Sequence, residues 1–163
     1  MRESEDDLRE LQRLLDESYE RAGEHLRRIF TEERQISAAE LAAELEGVQV
    51  LHLGTVTPNG APRVGPVDGL FFKGRFWFGS APDSTRFRNI RARPDVSGSV
   101  TRGEEFAAIV HGTAHEVEKE APDVQPFKGY LRETYGGKWD PWTGGATYAR
   151  IEPTHMFTFR HGS

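Results

Sequence analysis

The first part of the chain has apolar residues at the spacing of a helix. Over residues 4–30, leucines and other apolar side chains recur every three or four positions between charged ones. This pattern predicts one amphipathic helix, which Ser4 is placed to cap. Packing on the body of the protein, packing on a partner subunit and a regulatory role are all compatible with such a helix. We therefore expect an N-terminal helical extension, residues 1–36, followed by a body, residues 37–163.

The body begins with a short helix over residues 37–46, where Ser37 and Glu40 have the spacing of a capping box. Apolar and polar residues then alternate, which is typical of strands. The predicted elements are strands over 49–57, 62–72, 75–80, 96–102, 105–117 and 146–160, and helices over 83–92 and 122–135. Tight turns join several strands, and no strand–helix–strand alternation of a parallel sheet is present. The pattern therefore predicts a mainly β (α+β) fold, with antiparallel strands in a barrel or a sandwich.

Composition and charge narrow the possible functions. The chain has 163 residues, no cysteine and a formal net charge of −5. Disulfides and thiolate chemistry are therefore excluded. Residues 1–48 carry 14 acidic and 7 basic side chains, whereas the remainder carries 12 acidic and 14 basic ones. Five arginines fall between Arg86 and Arg102. A local basic site on an acidic background favours a small anionic ligand over nucleic acid.

The stretch from Phe76 to Pro94 is the best candidate for that anion site. Three aromatic residues end a strand, and a turn rich in small residues leads into a short helix. The free backbone N–H groups at the start of the helix favour a negative charge, and Arg86 lies in its first turn. Hydroxyl groups nearby come from Ser80, Ser84 and Thr85. A phosphate is the simplest ligand for such a turn.

With these elements in place, residues 48–117 resemble the pyridoxamine 5′-phosphate oxidase-like proteins, which are flavin and deazaflavin oxidoreductases with an FMN-binding split barrel. The resemblance rests on the order of four segments, and the closing strand TYARIEPTHMFTF extends it. The four are VLHLGTVTPNGAPRV, FFKGRFWFGS, DSTRFRNIRARPDV and HGTAHEV. It implies a six-stranded antiparallel split β-barrel with flanking helices. It also implies a homodimer that holds FMN, or a deazaflavin, between the two barrels.

The resemblance assigns roles to particular positions. The second strand would line the flavin ring, partly through its backbone, with Arg63, Val64, Gly65, Pro66 and Val67. Gly79 and Ser80 would lie near the ribityl–phosphate tail. The phosphate itself would be held by Ser84, Thr85 and Arg86. Apart from the resemblance, Arg88 and Asn89 on the same predicted helix could contact a cofactor tail.

Two departures from the family pattern bear on the activity. The position of the oxidase's first phosphate-binding arginine falls nearest Gly65, and Arg63 on the same strand face is the candidate to replace it. Near the C-terminus, the chain has no counterpart of the substrate-binding arginine and histidine of the oxidase. We therefore do not expect oxidation of pyridoxamine phosphate itself.

Other candidate sites are weaker. Trp139 and Trp142 would either plug the core beneath a loop or form a wall of a substrate pocket over the flavin. His111 and His115 share a strand face, but residues four apart on a strand lie about 13 Å from each other. They are therefore too far apart to bind one ion, and no metal site is expected.

The expected function is an FMN-dependent oxidoreductase that transfers two electrons, as a hydride, to or from a small organic substrate. A deazaflavin-dependent reductase is the close alternative, because a longer acidic tail would suit the additional arginines. A non-catalytic flavin- or haem-binding sensor or storage protein is the other. The acidic N-terminus resembles no signal peptide, and no apolar run is long enough for a membrane span, so a cytoplasmic protein is expected.

Overall fold

The computed structural model describes residues 2–137, 142 and 144–162. Along the chain, the helices and strands are α1 (Glu5–Glu20), α2 (Glu24–Ile29), a 3₁₀ turn (Glu32–Arg34), α3 (Ala38–Glu44), β1 (Val48–Val56), β2 (Pro62–Phe72), β3 (Arg75–Ser80), α4 (Thr85–Ala92), β4 (Asp95–Arg102), β5 (Phe106–Glu116), α5 (Gln125–Tyr135) and β6 (Thr147–Arg160). None of the helices described is long and apolar enough to cross a membrane.

The six strands described form a closed antiparallel barrel in the order β1-β2-β3-β6-β5-β4, and β4 pairs with β1 to close it. This confirms the predicted mainly β fold with flanking helices. Because successive side chains on a strand point to opposite faces, one face of each strand fills the barrel. Leu51, Leu53, Phe76 and Phe78 are fully buried in that core.

The N-terminal prediction was right about the start of the helix and wrong about its length. Ser4 caps α1 through the expected capping box with Asp7. The chain then leaves the helix at Arg21 and begins α2 after Gly23, which has an extended backbone. Glycine is a poor helix former, so an interruption is least costly there. α1 packs Leu11 and Leu15 into the barrel core, whereas α2 has no buried residue.

The second strand, β2, is paired unevenly along its length. All of it from Pro62 to Leu70 pairs with β1, but only Gly69–Phe72 pairs with β3. The other edge of its first half has no partner strand among the residues described. The helix α4 packs near this edge and buries Phe87 and Ile90 in the barrel core.

A second core lies outside the barrel, beneath α5. Its nine buried members are apolar or aromatic, and they come from β2, β3, β6, α5 and the segment on either side of that helix: Leu70, Phe72, Trp77, Val124, Phe127, Tyr130, Leu131, Trp142 and Tyr148. Phe127 stacks on Trp77 with ring centres 4.1 Å apart. This core holds α5 firmly to the outer face of β2 and β3.

Candidate functional site

The two faces of β2 separate the predicted ring-lining residues. Arg63, Gly65 and Val67 lie on the inward face of β2, because they pair with Thr55, Leu53 and Leu51 on the buried face of β1. Gly65 and Val67 are half-buried, whereas Arg63, near the start of the strand, is exposed. Val64 and Pro66 face outward, and Val64 is 76% exposed. These five residues therefore form one stretch of β2 with one face toward the barrel and the other toward solvent.

Gly65 leaves room for an arginine. If residue 65 had a Cβ, that atom would lie 3.4 Å from Nη2 of Arg86, so the guanidinium occupies the space that a side chain would otherwise fill. Nη2 of Arg86 donates a hydrogen bond of 3.2 Å to the carbonyl oxygen of Pro66. The first turn of α4 is thereby connected to the predicted ring-lining strand.

Arg86 is a charged group with little to neutralise it. Burial lowers the pKa of its guanidinium from the ordinary value, although an arginine stays charged at any physiological pH. Across the described part of the chain, no carboxylate lies within 4 Å of it. A partly buried cation without a counterion is costly unless an anion binds to it.

The hydroxyl groups predicted for the phosphate site lie around the same turn. Ser84 caps α4, and its oxygen accepts from the backbone N–H of Phe87 at 3.3 Å. The Ser84 hydroxyl hydrogen stays available to another acceptor. Thr85 accepts from Nη2 of Arg88 at 3.1 Å. Ser80 is the last residue of β3, and its hydroxyl bonds to no other side chain or backbone group in the residues described.

Asn89 contributes to the structure in a way that the sequence did not reveal. Its side chain is buried, and Nδ2 donates a 3.0 Å hydrogen bond to Oγ1 of Thr55. Thr55 was missed as a site residue, although it shares the inward face of β1 with Leu51 and Leu53. A polar residue at an inward position indicates a buried polar partner. The pair joins α4 to β1 and so helps to fix the position of Arg86.

Trp142 belongs to the second core, and Gly79 lies against Tyr148 of that core. A Cβ at Gly79 would lie 2.8 Å from the ring of Tyr148, so packing alone requires a glycine there. Trp142 is buried, and its ring centre lies 4.8 Å from that of Tyr148. Trp139 lies outside the described residues. The roles of these residues in binding a cofactor tail or a substrate stay predictions.

The arginines near α4 differ in their partners. Arg91 forms an ion pair with Glu116. Arg63 and Arg93 donate to the carbonyl oxygens of Pro62 and Pro58, and Arg88 donates to Thr85, but none of these three has a carboxylate within 4 Å in the described part of the structure.

An open cleft lies beside Arg63 and was not predicted from the sequence. It has a volume of about 430 Å³, within the range of small-molecule sites. Its walls come from β1, the first residues of β2 and the start of β4: Gly54, Thr55, Val56, Pro62, Arg63, Val64, Asp95, Val96 and Ser97. Most of its lining is apolar, with one arginine and one aspartate.

A comparison with known families agrees with this architecture. The model of the family described as "Pyridoxamine 5'-phosphate oxidase" matches residues 37–160. This chain belongs to that family. The match begins at the cap of α3 and runs to the last residue of β6, so it covers the whole barrel and confirms the resemblance seen in the sequence.

Solved structures share the fold of this pyridoxamine 5′-phosphate oxidase-family barrel. A conserved hypothetical protein of Mycobacterium tuberculosis superposes with a TM-score of 0.66 at 20% identity, over 81% of this chain and 94% of the other. HutZ, a haem storage protein from Vibrio cholerae, gives 0.62 at 18% identity over 74% and 91%. An F420 reductase gives 0.54 at 23% identity over 70% and 93%. No curated protein sequence matches the chain.

Three histidines of this family member, His111, His115 and His155, lie on the outer face of β5 and β6. Nδ1 of His111 is 2.7 Å from Oγ of Ser97, and its ring centre is 6.4 Å from that of His155. Burial and the neighbouring His155 lower the pKa of His111. His115 contacts Thr113 instead. Among the residues described, no group of three or more possible ligands could hold a metal ion.

Proposed function

We propose that this protein is an FMN-binding oxidoreductase that transfers two electrons between its cofactor and a small organic substrate. One observation carries the proposal. Arg86 is partly buried beside Gly65 of β2, which has no side chain, and among the described residues no carboxylate neutralises the charge of Arg86. A phosphate would supply the missing negative charge. The family match and the flavin-related names of its structural relatives support the same class of ligand.

The residues around Arg86 fit a phosphate well. Its guanidinium presents several N–H donors in a planar fork, which suits the oxygens of a phosphate. Ser80 and Ser84 would add hydroxyl donors, and the first turn of α4 would add backbone N–H groups. Gly65 keeps the space open for the guanidinium. These groups would hold the phosphate end of the cofactor.

The free edge of β2 would take the ring. Pro62 and Pro66 have no N–H group, and proline occurs in a sheet where its N–H would face away from a ladder. Since backbone groups alternate between the two edges, Val64 would present its N–H and carbonyl toward the same side as Pro66. Hydrogen bonds from this edge would orient a flat ring. A bound flavin would supply the redox chemistry, and the chain would bind, orient and shield it.

The proposal includes a homodimer with the cofactor between the subunits. The outer face of β1 and β2 exposes valines, of which Val50 is 57% and Val64 is 76% exposed. Exposed aliphatic side chains on one sheet face are typical of surfaces that a partner covers. A second copy on this face would cover Val64 beside the ring-lining edge and complete the site.

The absorbance spectrum of the purified protein is the first test. A flavin, a deazaflavin and a haem have different absorbance spectra, so the spectrum of the purified protein shows which of them is bound. Where the protein is colourless, titration with FMN, the deazaflavin coenzyme F420 and haem follows. We expect FMN to bind to a dimer, as judged by light scattering. Failure to bind any of the three would overturn the proposal, and haem binding alone would favour a storage function.

Turnover separates an enzyme from a sensor. The reduced cofactor is mixed with the protein and a panel of organic acceptors, and oxidation is followed in the absence of oxygen. Oxidation that depends on both the protein and one class of acceptor supports an oxidoreductase. A bound cofactor that no acceptor oxidises would contradict catalysis and favour a cofactor-binding sensor.

A further inference from the structure

We propose that the protein has a second binding site, between its N-terminal extension and β6, which binds a small neutral molecule that carries an amide group. The site is a cavity of about 240 Å³ between α1, the segment that leads into α3, and the last part of β6. Most of the residues that line it lie before residue 37, where the family match begins. The inference concerns a different part of the molecule from Arg86 and does not depend on the proposed function.

The floor of this cavity is an edge of β6 that no strand covers in the part of the chain described. β3 pairs with β6 only from Thr147 to Arg150, and β5 pairs along the opposite edge. Farther along β6, Met156, Phe157 and Thr158 all line the cavity. Since successive side chains of a strand point to opposite faces, three consecutive residues can border one cavity only along the strand edge. The cavity therefore borders the backbone of β6.

Two hydrogen bonds show which backbone groups point into this space. Just beyond the strand, the N–H of His161 donates to the carbonyl oxygen of Glu105 at 2.8 Å, toward β5. The N–H of Met156 donates to Oγ of Ser18 in α1 at 3.0 Å, away from β5. Backbone groups of an antiparallel strand alternate between its two edges. The N–H and carbonyl of Thr158 and the carbonyl of Met156 therefore point away from β5, toward the cavity.

These three backbone groups bond to no other group among the residues described. Thr158 is only 4% exposed, so solvent has little access to it. Its Oγ1 accepts from the N–H of Ile36 at 3.3 Å, and within the same part of the structure its hydroxyl hydrogen is not donated to any acceptor. Buried polar groups are normally hydrogen-bonded, because leaving them without partners is costly. A ligand that both accepts and donates would satisfy them.

The rest of the lining indicates the size and charge of the ligand. Leu15, Tyr19 and Phe30 provide apolar and aromatic contacts. Among the described residues that line the cavity, only Glu32 is charged, and it is exposed, so no cation is present to neutralise an anion. A cavity of about 150 Å³ can hold benzene, so this one has room for a ring with one further small group. An amide supplies both a carbonyl acceptor and N–H donors.

The two ends of this edge are closed, which favours a small molecule over an added peptide strand. Ser18 already accepts from the N–H of Met156 at one end. At the other end, Ile36 lies against the side chain of Thr158. The backbone between Met156 and Thr158 extends over about 7 Å, which is the length of two residues. An extended peptide of several residues would collide with α1 or with the segment at Ile36.

Four probes of similar shape test the chemical class of the ligand. Benzamide can donate and accept, acetophenone can only accept, ethylbenzene can do neither, and benzoate carries a negative charge. Each is titrated into the full chain, and two-dimensional NMR follows the backbone N–H signals. We expect benzamide to bind at least about tenfold more tightly than ethylbenzene, because at least two hydrogen bonds would form. Acetophenone should lie between them, and benzoate should bind more weakly than benzamide.

Hydrogen exchange and one variant locate the site. The N–H of Phe157 points to β5 and serves as the control within the strand. Benzamide should slow the exchange of the Thr158 N–H and leave that of Phe157 unchanged. Thr158→Val removes the hydroxyl with little change in shape and should weaken benzamide binding by at least about threefold. Thr101→Val, at an exposed position on β4, is the matched control and should bind benzamide as the wild type does.

Each result supports or overturns the site. Slower exchange at Thr158, with affinity falling from benzamide through acetophenone to ethylbenzene, supports it. If millimolar benzamide leaves the signals of Thr158 and its neighbours unchanged, only water fills the cavity and the proposal is overturned. Equal affinities for benzamide and ethylbenzene, or for benzamide and benzoate, would overturn it as well. Circular dichroism checks the fold of Thr158→Val, and if this variant does not fold, the probe series and the exchange rates decide. FMN is titrated separately, so failure here is distinguishable from failure of the proposed function.

Discussion

Among the helices that pack on the barrel, α4 and α5 do so with different chemistry. The helix α5 lies on the outer face of β2 and β3 and buries aromatic rings there, such as Phe127 against Trp77. The helix α4 lies along the β1–β2 hairpin and also buries apolar residues, but it carries Arg86 and Asn89 on the side that faces the strands. The interface of α5 with the barrel is closed and apolar, whereas the interface of α4 contains polar groups and lies beside the unpaired edge of β2.

The contrast indicates where binding would occur. In the α5 region, even Gly79 is explained by packing, because the ring of Tyr148 lies against it. In the α4 region, the space beside Gly65 is filled by the guanidinium of Arg86, which has no counterion in the part of the chain described. A closed apolar interface stabilises the fold, whereas an interface that leaves a cation and a strand edge available has the features of a ligand site. The following predictions test this division.

The largest effect is expected from truncation in the α5 region. Phe127 is fully buried and stacked on Trp77, so Phe127→Ala should lower the free energy of unfolding by about 3–5 kcal/mol. Urea unfolding of the variant and the wild type measures the difference. The milder Phe127→Leu keeps the variant folded enough for a cofactor titration, and its affinity for FMN should equal that of the wild type. A large loss of affinity would contradict the separation of the two regions.

The two glycines provide a matched comparison. Gly79→Ala would place its methyl group 2.8 Å from the Tyr148 ring, and such overpacking costs about 1–3 kcal/mol of stability. Gly65→Ala would contact only the Arg86 side chain, at 3.4 Å, which is an acceptable distance. We therefore expect little change in stability but weaker FMN binding for Gly65→Ala. Equal stability losses in thermal unfolding of the two variants would show that the β2 edge is packed as tightly as the second core.

The smallest expected effect is on the pH dependence of the free energy of unfolding. Burial and His155 lower the pKa of His111 in the folded state, so the unfolded state binds the proton more readily. This contribution to stability is present above the ordinary histidine pKa of about 6.5 and decreases as the pH falls below it. His111→Gln should therefore lose less stability than the wild type between about pH 7 and about pH 5.5. Urea unfolding at both pH values checks this, with His115→Gln as the control, and identical losses would refute it.

Much of the barrel was predictable because its sequence signals are local. The alternation in β2 predicted its bounds, and the Ser37–Glu40 capping box predicted the start of α3. The turn Lys73-Gly74 has positive φ at both residues, as expected for a tight hairpin. Arg86 in the first turn of α4, with the hydroxyl of Ser84 beside it, was likewise visible in the sequence. Each depends on residues a few positions apart.

What the sequence did not predict depends on contacts between distant residues. The hydrogen bond between Asn89 and Thr55 joins a helix to a strand 34 residues away. The requirement for glycine at position 79 comes from Tyr148, on β6. The helix breaks after Glu20, and α1 buries Leu11 and Leu15 in the barrel core, whereas α2 has no buried residue. Spacing along the chain cannot reveal which distant surface a residue will meet.

The most direct test of the account is the affinity of FMN for Arg86→Gln relative to Arg91→Gln. Both variants remove one positive charge from α4, but only Arg86 faces the β2 edge, while Arg91 is paired with Glu116. Fluorescence titration should show that Arg86→Gln weakens binding by about 1.5–3 kcal/mol, the contribution of a charged hydrogen bond, and that Arg91→Gln leaves it almost unchanged. Equal affinities for the two variants and the wild type would mean that the phosphate does not bind at Arg86.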